Sequence, residues 1–166
     1  AAEAGSHIPL LADVLYADNP VLQPNLPDSE PVFVYIGTHG SSRELETVLM
    51  AIVSAVKNGA TGSFRFIGSK KEEETRLRAT YGVEELINHG ILSFEPAVSR
   101  MDIWNILANC DVGLSLIPPK PVYYESSPTK LTEYMAAGLV VLASEGIPMQ
   151  ERLVNESRAG VLVRWD

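Results

Sequence analysis

From Pro31 onward, short apolar runs alternate with segments whose apolar residues recur every three or four positions. The runs are "VFVYIG" (32–37), "SFRFIG" (63–68), "ILSFEP" (91–96), "VGLSLIP" (112–118), "LVVLAS" (139–144) and "GVLVR" (160–164). Runs of this kind predict strands covered on both faces. The intervening pattern predicts a helix over 41–59, with Leu45, Val48, Leu49, Ile52 and Val56 on one face and Gly59 as its stop. Further helices are expected over 70–82 (charged and exposed), 99–110 (Ser99 as N-cap), 128–137 and near 148–155. Six strands alternating with helices imply an α/β fold with a doubly wound, mainly parallel sheet. Residues 1–31 hold Pro9, Pro20, Pro24, Pro27 and Pro31, which predicts an irregular lead-in with at most a short helix near 8–17. The domain is therefore expected to occupy 32–166.

Composition narrows the function. A chain of 166 residues, 46% apolar and 20% charged, suits one well-cored domain. A formal net charge of −8 argues against a nucleic-acid backbone binder, which needs clustered Lys and Arg. Cys110 is the single cysteine and sits among apolar neighbours, which suits a buried, inert thiol and leaves no disulfide framework. With His7, His39 and His89 scattered, no metal-ligand spacing arises and no metal is expected. No apolar run approaches the ~20 residues that span a bilayer, so a soluble, cytoplasmic setting is the default expectation.

Several strands end in small, polar or turn residues: Gly37-Thr38, Gly68-Ser69, Glu95-Pro96, Pro118-Pro119 and Ala143-Ser144. In a parallel sheet those ends share one rim, where open α/β sheets bind ligands. Either a ligand approaches the backbone there, or the turns are simply tight.

The stretch "ESSPTKLTEYMAAG" (125–138) sharpens the question. With Pro128 in the first helical position and Ser127 as N-cap, Lys130 falls in the first turn, where a cation opposes the helix dipole. Either an anion such as phosphate sits at the helix mouth, or Lys130 curls into solvent or pairs with Glu125 or Glu133. "GTHGSSRELE" (37–46) repeats the arrangement, with Ser42 as N-cap and Arg43 in the first turn. Two cationic helix mouths on one rim suit a diphosphate. Glu133, three residues after Lys130, is placed near the rim, where a carboxylate suits a ribose diol. No G-x-G-x-x-G, G-x-x-x-x-G-K-[ST] or G-x-S-x-G occurs, which removes the dinucleotide fingerprint, the P-loop and the hydrolase elbow.

The E-x7-E spacing of Glu125 and Glu133, followed by "EYMAAG", "LVVLAS" and "GIP", resembles the C-terminal, nucleotide-sugar-binding lobe of retaining GT-B glycosyltransferases of family 4, the group 1 enzymes. The form "SPTKLTEYMAAGLVVLAS" is similar to a branch of that family carrying P-x-K-L-x-E-Y-M, and the likeness runs over about 32–166. The resemblance implies a Rossmann-like lobe that takes a nucleoside-diphosphate sugar as donor, with no cofactor. By the same resemblance Glu133 holds the ribose hydroxyls and Glu125 meets the donor sugar near the reacting carbon. Backbone N–H groups around Pro128, Thr129, Lys130 and Leu131 cradle the diphosphate, and the turn at Pro96, Ala97 and Val98 meets the nucleobase. The family's first loop usually carries Gly-Arg and a Lys five residues later. This chain has Gly37-Thr38 and then Arg43, so the clamp is one cation weaker unless Lys130 compensates.

Family members place the acceptor, a glycan, lipid or small molecule, mainly on an N-terminal lobe absent from this chain. The resemblance leaves peripheral membrane association of the full-length enzyme open. The expectation is thus a partial chain, inactive alone, or a non-catalytic α/β module with a degenerate clamp. His39 either touches phosphate or sugar or lies exposed in its loop. Tyr123 and Tyr124 either flank the donor or serve the loop, and Trp104 is expected to pack.

Overall fold

The computed structural model describes residues 30–125 and 128–165. The expected helix near 8–17 and the expected N-cap Ser127 lie outside the described residues.

Six strands form one sheet in the order β3-β2-β1-β4-β5-β6, every pairing parallel: β1 (Val32–Ile36), β2 (Ser63–Ile67), β3 (Leu92–Glu95), β4 (Val112–Ser115), β5 (Val140–Ser144) and β6 (Gly160–Val163). The helices are α1 (Leu45–Lys57), α2 (Lys71–Arg78), α3 (Val83–Asn88), α4 (Arg100–Leu107), α5 (Pro121–Tyr124), α6 (Thr129–Ala136) and α7 (Pro148–Ser157). Successive strand residues point to opposite faces, and two core clusters follow. Tyr35, Phe64, Phe66 and Leu114 meet Leu45, Leu49, Ile52, Leu77, Val83 and Leu86 of α1, α2 and α3. Val34, Ile36, Ile67, Val141 and Ala143 meet Leu107, Leu131, Tyr134 and Val154 of α4, α6 and α7. Apolar runs with no polar alternation are thus explained by helices on both faces.

The structure departs from the sequence reading at several points. The single charged helix expected over 70–82 is α2 alone; Gly82 then turns at φ 82°, and a second helix, α3, follows. α5 was not expected. The helix expected from residue 41 begins at Leu45, after a 3-10 turn over Ser41–Arg43, and Glu44 between them adopts a left-handed φ of 49°. Ser42 is therefore not an N-cap, and Arg43 precedes the α-helix rather than lying in its first turn. Ser99 does cap α4, accepting a hydrogen bond from the Asp102 N–H at 3.3 Å.

The sheet reverses its winding between β1 and β4. Those strands pair only through Phe33–Val112 and Val34–Gly113, although β1 runs on to Ile36 and β4 to Ser115. β1 and β2, by contrast, pair along five residues. The strands part toward their C-terminal ends, which opens the crevice where such folds take ligands.

Candidate functional site

A cavity of about 450 Å³ fills that crevice. Its floor is Ile36 and Leu114–Ile117, one wall is Gly37, Thr38 and Arg43, and the other is Pro128, Thr129 and Lys130. Val122 and Tyr123 of α5 stand at its edge.

The walls are held by specific contacts. Where β4 no longer reaches Ile36, the Ile36 N–H donates to the Tyr134 hydroxyl at 2.9 Å, so α6 replaces a strand as the partner. The Tyr134 ring lies directly over Gly113, where any Cβ would come within 2.4 Å of it. Beyond β1, the Tyr35 hydroxyl donates to the Thr38 carbonyl at 3.0 Å and shapes the loop. Burial pushes the Tyr35 phenol up to about 12 and the Tyr134 phenol higher still, so both stay protonated at neutral pH. Gly68 backs the same loop at φ 112°, where a Cβ would strike the Gly37 carbonyl at 2.3 Å.

Two cations reach this space. The Arg43 guanidinium lies 5.1 Å from the centre of the Tyr123 ring, a cation–π arrangement. The Tyr123 hydroxyl donates to the Ser42 carbonyl at 3.1 Å, and Lys120 pairs with Glu44. The loops on either side of the cavity are thus tied to each other. Lys130 is the second residue of α6, not the third, because Pro128 is the N-cap and not the first helical residue. Its ammonium pairs with Glu133 at 2.8 Å, the lysine side chain 36% exposed and the glutamate 15%. Of the alternatives open in the sequence, pairing with Glu133 is the one that occurs, and it offsets the opposing dipole. No side chain among the described residues caps α6. Pro128 has no N–H to give, so the available amides begin at Thr129.

The remaining expected residues fall elsewhere. Leu131 is fully buried in the core and offers only its backbone. Glu133 touches the site through Lys130 and does not line the cavity. Glu125 is exposed at the end of α5, outside the lining. Ala97 is exposed and Val98 packs on the α4–α6 side of the core, both beyond β3 and away from the cavity. His39, read as a rim residue that meets ligand or solvent, does neither: it is fully buried. Trp104 packs against the core, and Cys110 is half-buried with its thiol pushed up by burial. Sequence reading missed Tyr35, Ser115 and Ile117 as cavity residues and did not single out Tyr134. The glycine inside "VGLS" was the available signal, since a strand glycine marks close approach by another element.

The arrangement of the sheet agrees with the comparisons to known proteins. The model of the family "Glycosyl transferases group 1" matches residues 22–164, and the chain belongs to that family. No curated protein matches it in sequence. Among solved structures, the chain is similar to a sucrose-phosphate synthase from Thermosynechococcus elongatus at 21% identity and TM-score 0.56, covering 86% of this chain and 34% of that one. It is similar to an alpha,alpha-trehalose-phosphate synthase (UDP-forming) from Burkholderia xenovorans at 13% identity and TM-score 0.60, covering 82% and 33%. A trehalose-6-phosphate protein from E. coli matches at 16% identity and TM-score 0.53, covering 82% and 33%. The fold is that of one Rossmann-like GT-B lobe. The chain spans about a third of the length of the structures it matches. No helix among the described residues is long and apolar enough to cross a membrane.

Proposed function

We propose that residues 32–166 form the donor lobe of a two-lobed glycosyltransferase and that the cavity seats the diphosphate of a nucleoside-diphosphate sugar. The observation that carries this reading is the convergence of Arg43, Lys130 and the start of α6 on one cavity at the winding reversal. Oxyanions of the departing diphosphate gain charge as the glycosidic bond breaks, and fixed amides and cations there stabilise the transition state more than the bound donor. Two of the structural relatives support the substrate class: the E. coli protein is described as bound with UDP-2-fluoro glucose, and the Burkholderia xenovorans enzyme as UDP-forming and in complex with glucose-6-phosphate. The donor is a substrate, not a resident cofactor.

On this reading a diphosphate takes over part of the Lys130 ammonium, and Glu133 turns its freed oxygen to the ribose diol. Glu125 meets the sugar from the loop, Ala97 and Val98 offer backbone to the base, and transfer retains the anomeric configuration, as the family resemblance implies. The acceptor, a glycan, lipid or small molecule, is held by the partner lobe, and the lone cysteine suits a cytoplasmic setting.

Thr38, exposed and uncharged where the family usually has arginine, favours a second reading: a binding module that has lost turnover. Thermal unfolding with UDP, GDP or ADP tests the first. At a free concentration ten times Kd, a bound nucleotide stabilises by about 1.4 kcal/mol, which is roughly 3–6 °C for a chain of this size. The shift is expected to vanish in Glu133→Ala and to weaken in Lys130→Ala. No response to any of the three at millimolar concentration overturns the proposal and leaves the second reading.

A further inference from the structure

His39 is out of place chemically. It is 0% exposed, and neither ring nitrogen has a hydrogen-bond partner among the described residues. Its imidazole lies instead against aromatic rings: Tyr35 at 5.4 Å in an edge-on contact, Phe66 at 6.2 Å and Phe94 at 6.2 Å. A buried polar group without a partner is a cost to the fold, and phenylalanine would fill the same place without it. The residue also occupies a sensitive point. One residue before it is Thr38 and four after it is Arg43, both lining the cavity. The His39 carbonyl accepts from Arg76 at 2.6 Å, and Arg76 in turn pairs with Glu46 of α1. The loop is therefore pinned to the sheet by one ring and to α2 by one carbonyl.

We propose that His39 is a positioning residue: its uncharged ring, seated among Tyr35, Phe66 and Phe94, holds the Gly37–Arg43 loop in the shape that brings Thr38 and Arg43 to the cavity, and protonation releases that loop. The charged groups around the ring are few. From α2, Glu73 and Glu74 favour its proton and Arg76 opposes it; from the end of β2, the Gly68 backbone favours it without a hydrogen bond of ordinary geometry. Tyr35 of β1 and Phe94 of β3 present their rings to it. Burial outweighs these, and the folded chain holds the imidazole below its ordinary value of 6.5. The sign follows. The unfolded or detached loop binds a proton that the seated ring refuses, so anchoring is complete above about pH 6.5 and is lost as pH falls through the lower folded value. The consequence for diphosphate presupposes the function proposed above; the anchoring does not, and the two are tested apart.

Hydrogen–deuterium exchange of the whole chain reads the anchoring without any ligand. Peptides over residues 36–44 are followed at about pH 7.5 and about pH 5, corrected for intrinsic exchange, with β5 as internal reference. In the wild type, protection of 36–44 is expected to fall about tenfold on acidification while β5 is unchanged. In His39→Phe the loop is expected to keep its protection at both pH values. A wild-type loop indifferent to pH, or an equal loss in His39→Phe, overturns the proposal. His39→Leu serves if the phenylalanine variant does not fold, and the wild-type comparison alone remains decisive. UDP affinity measured on the same samples reports separately: binding that is absent at both pH values counts against the donor site and leaves the anchoring result standing.

Discussion

Valine at Gly113 is expected to lower the stability of the chain by about 3 kcal/mol, the upper part of the range for forcing extra carbon into a filled core. With an m-value near 2 kcal/mol/M this moves the urea midpoint down by about 1.5 M. The reason is local. A Cβ at this position would lie 2.4 Å from Cγ, 2.5 Å from Cδ2 and 2.7 Å from Cβ of Tyr134, whose ring is fully enclosed and cannot swing aside. Relief has to come from moving α6 off the sheet. That movement also withdraws the Tyr134 hydroxyl from the Ile36 N–H and shifts the Thr129–Lys130 wall. Nucleotide response is therefore expected to disappear even where the variant remains folded. Gly40→Ala is the control: its nearest contact would be a Glu73 carboxylate oxygen at 3.9 Å, and a change within about 0.5 kcal/mol is expected. Equal midpoints for the two variants would show that α6 is not seated on Gly113.

Removal of either cation is expected to weaken binding directly, without disturbing the fold. A hydrogen bond to a charged group contributes about 1.5–3 kcal/mol, so Arg43→Ala and Lys130→Ala should each weaken UDP binding about 10- to 100-fold, measured by isothermal titration calorimetry. Lys130→Ala carries an added penalty, because it leaves the Glu133 carboxylate unpaired beside an incoming anion. Arg43→Lys is expected to recover little, since an ammonium cannot present the guanidinium fork to phosphate. Losses below twofold in both alanine variants would remove the cations from the account.

Periodicity made the layers legible and left the details open. Six strands and a doubly wound parallel sheet followed from apolar runs such as "VFVYIG" and "VGLSLIP". The kinship of Lys130 and Glu133 was also readable, because residues three apart on a helix are neighbours. Glu44 was not readable: a left-handed glutamate is imposed by the tertiary structure, through its ties to Lys120 and the start of α1, and local propensity opposes it. α5 escaped notice because four residues carry no period. His39 was misplaced for a related cause. Its burial depends on Phe66 and Phe94, which come from two other strands, and nothing within "GTHGSS" signals them. Ala97 and Val98 were assigned by resemblance alone, and they and Glu125 stand outside the cavity.

Amide chemical-shift mapping tests the central claim most directly. Adding inorganic pyrophosphate, and then UDP, to the isotopically labelled chain should perturb first the amides of Gly37, Thr38, Thr129 and Lys130, on both walls of the β1–β4 crevice. Perturbations confined to one wall, or centred on another part of the rim such as Gly68–Ser69, would contradict a diphosphate seat between Arg43 and Lys130.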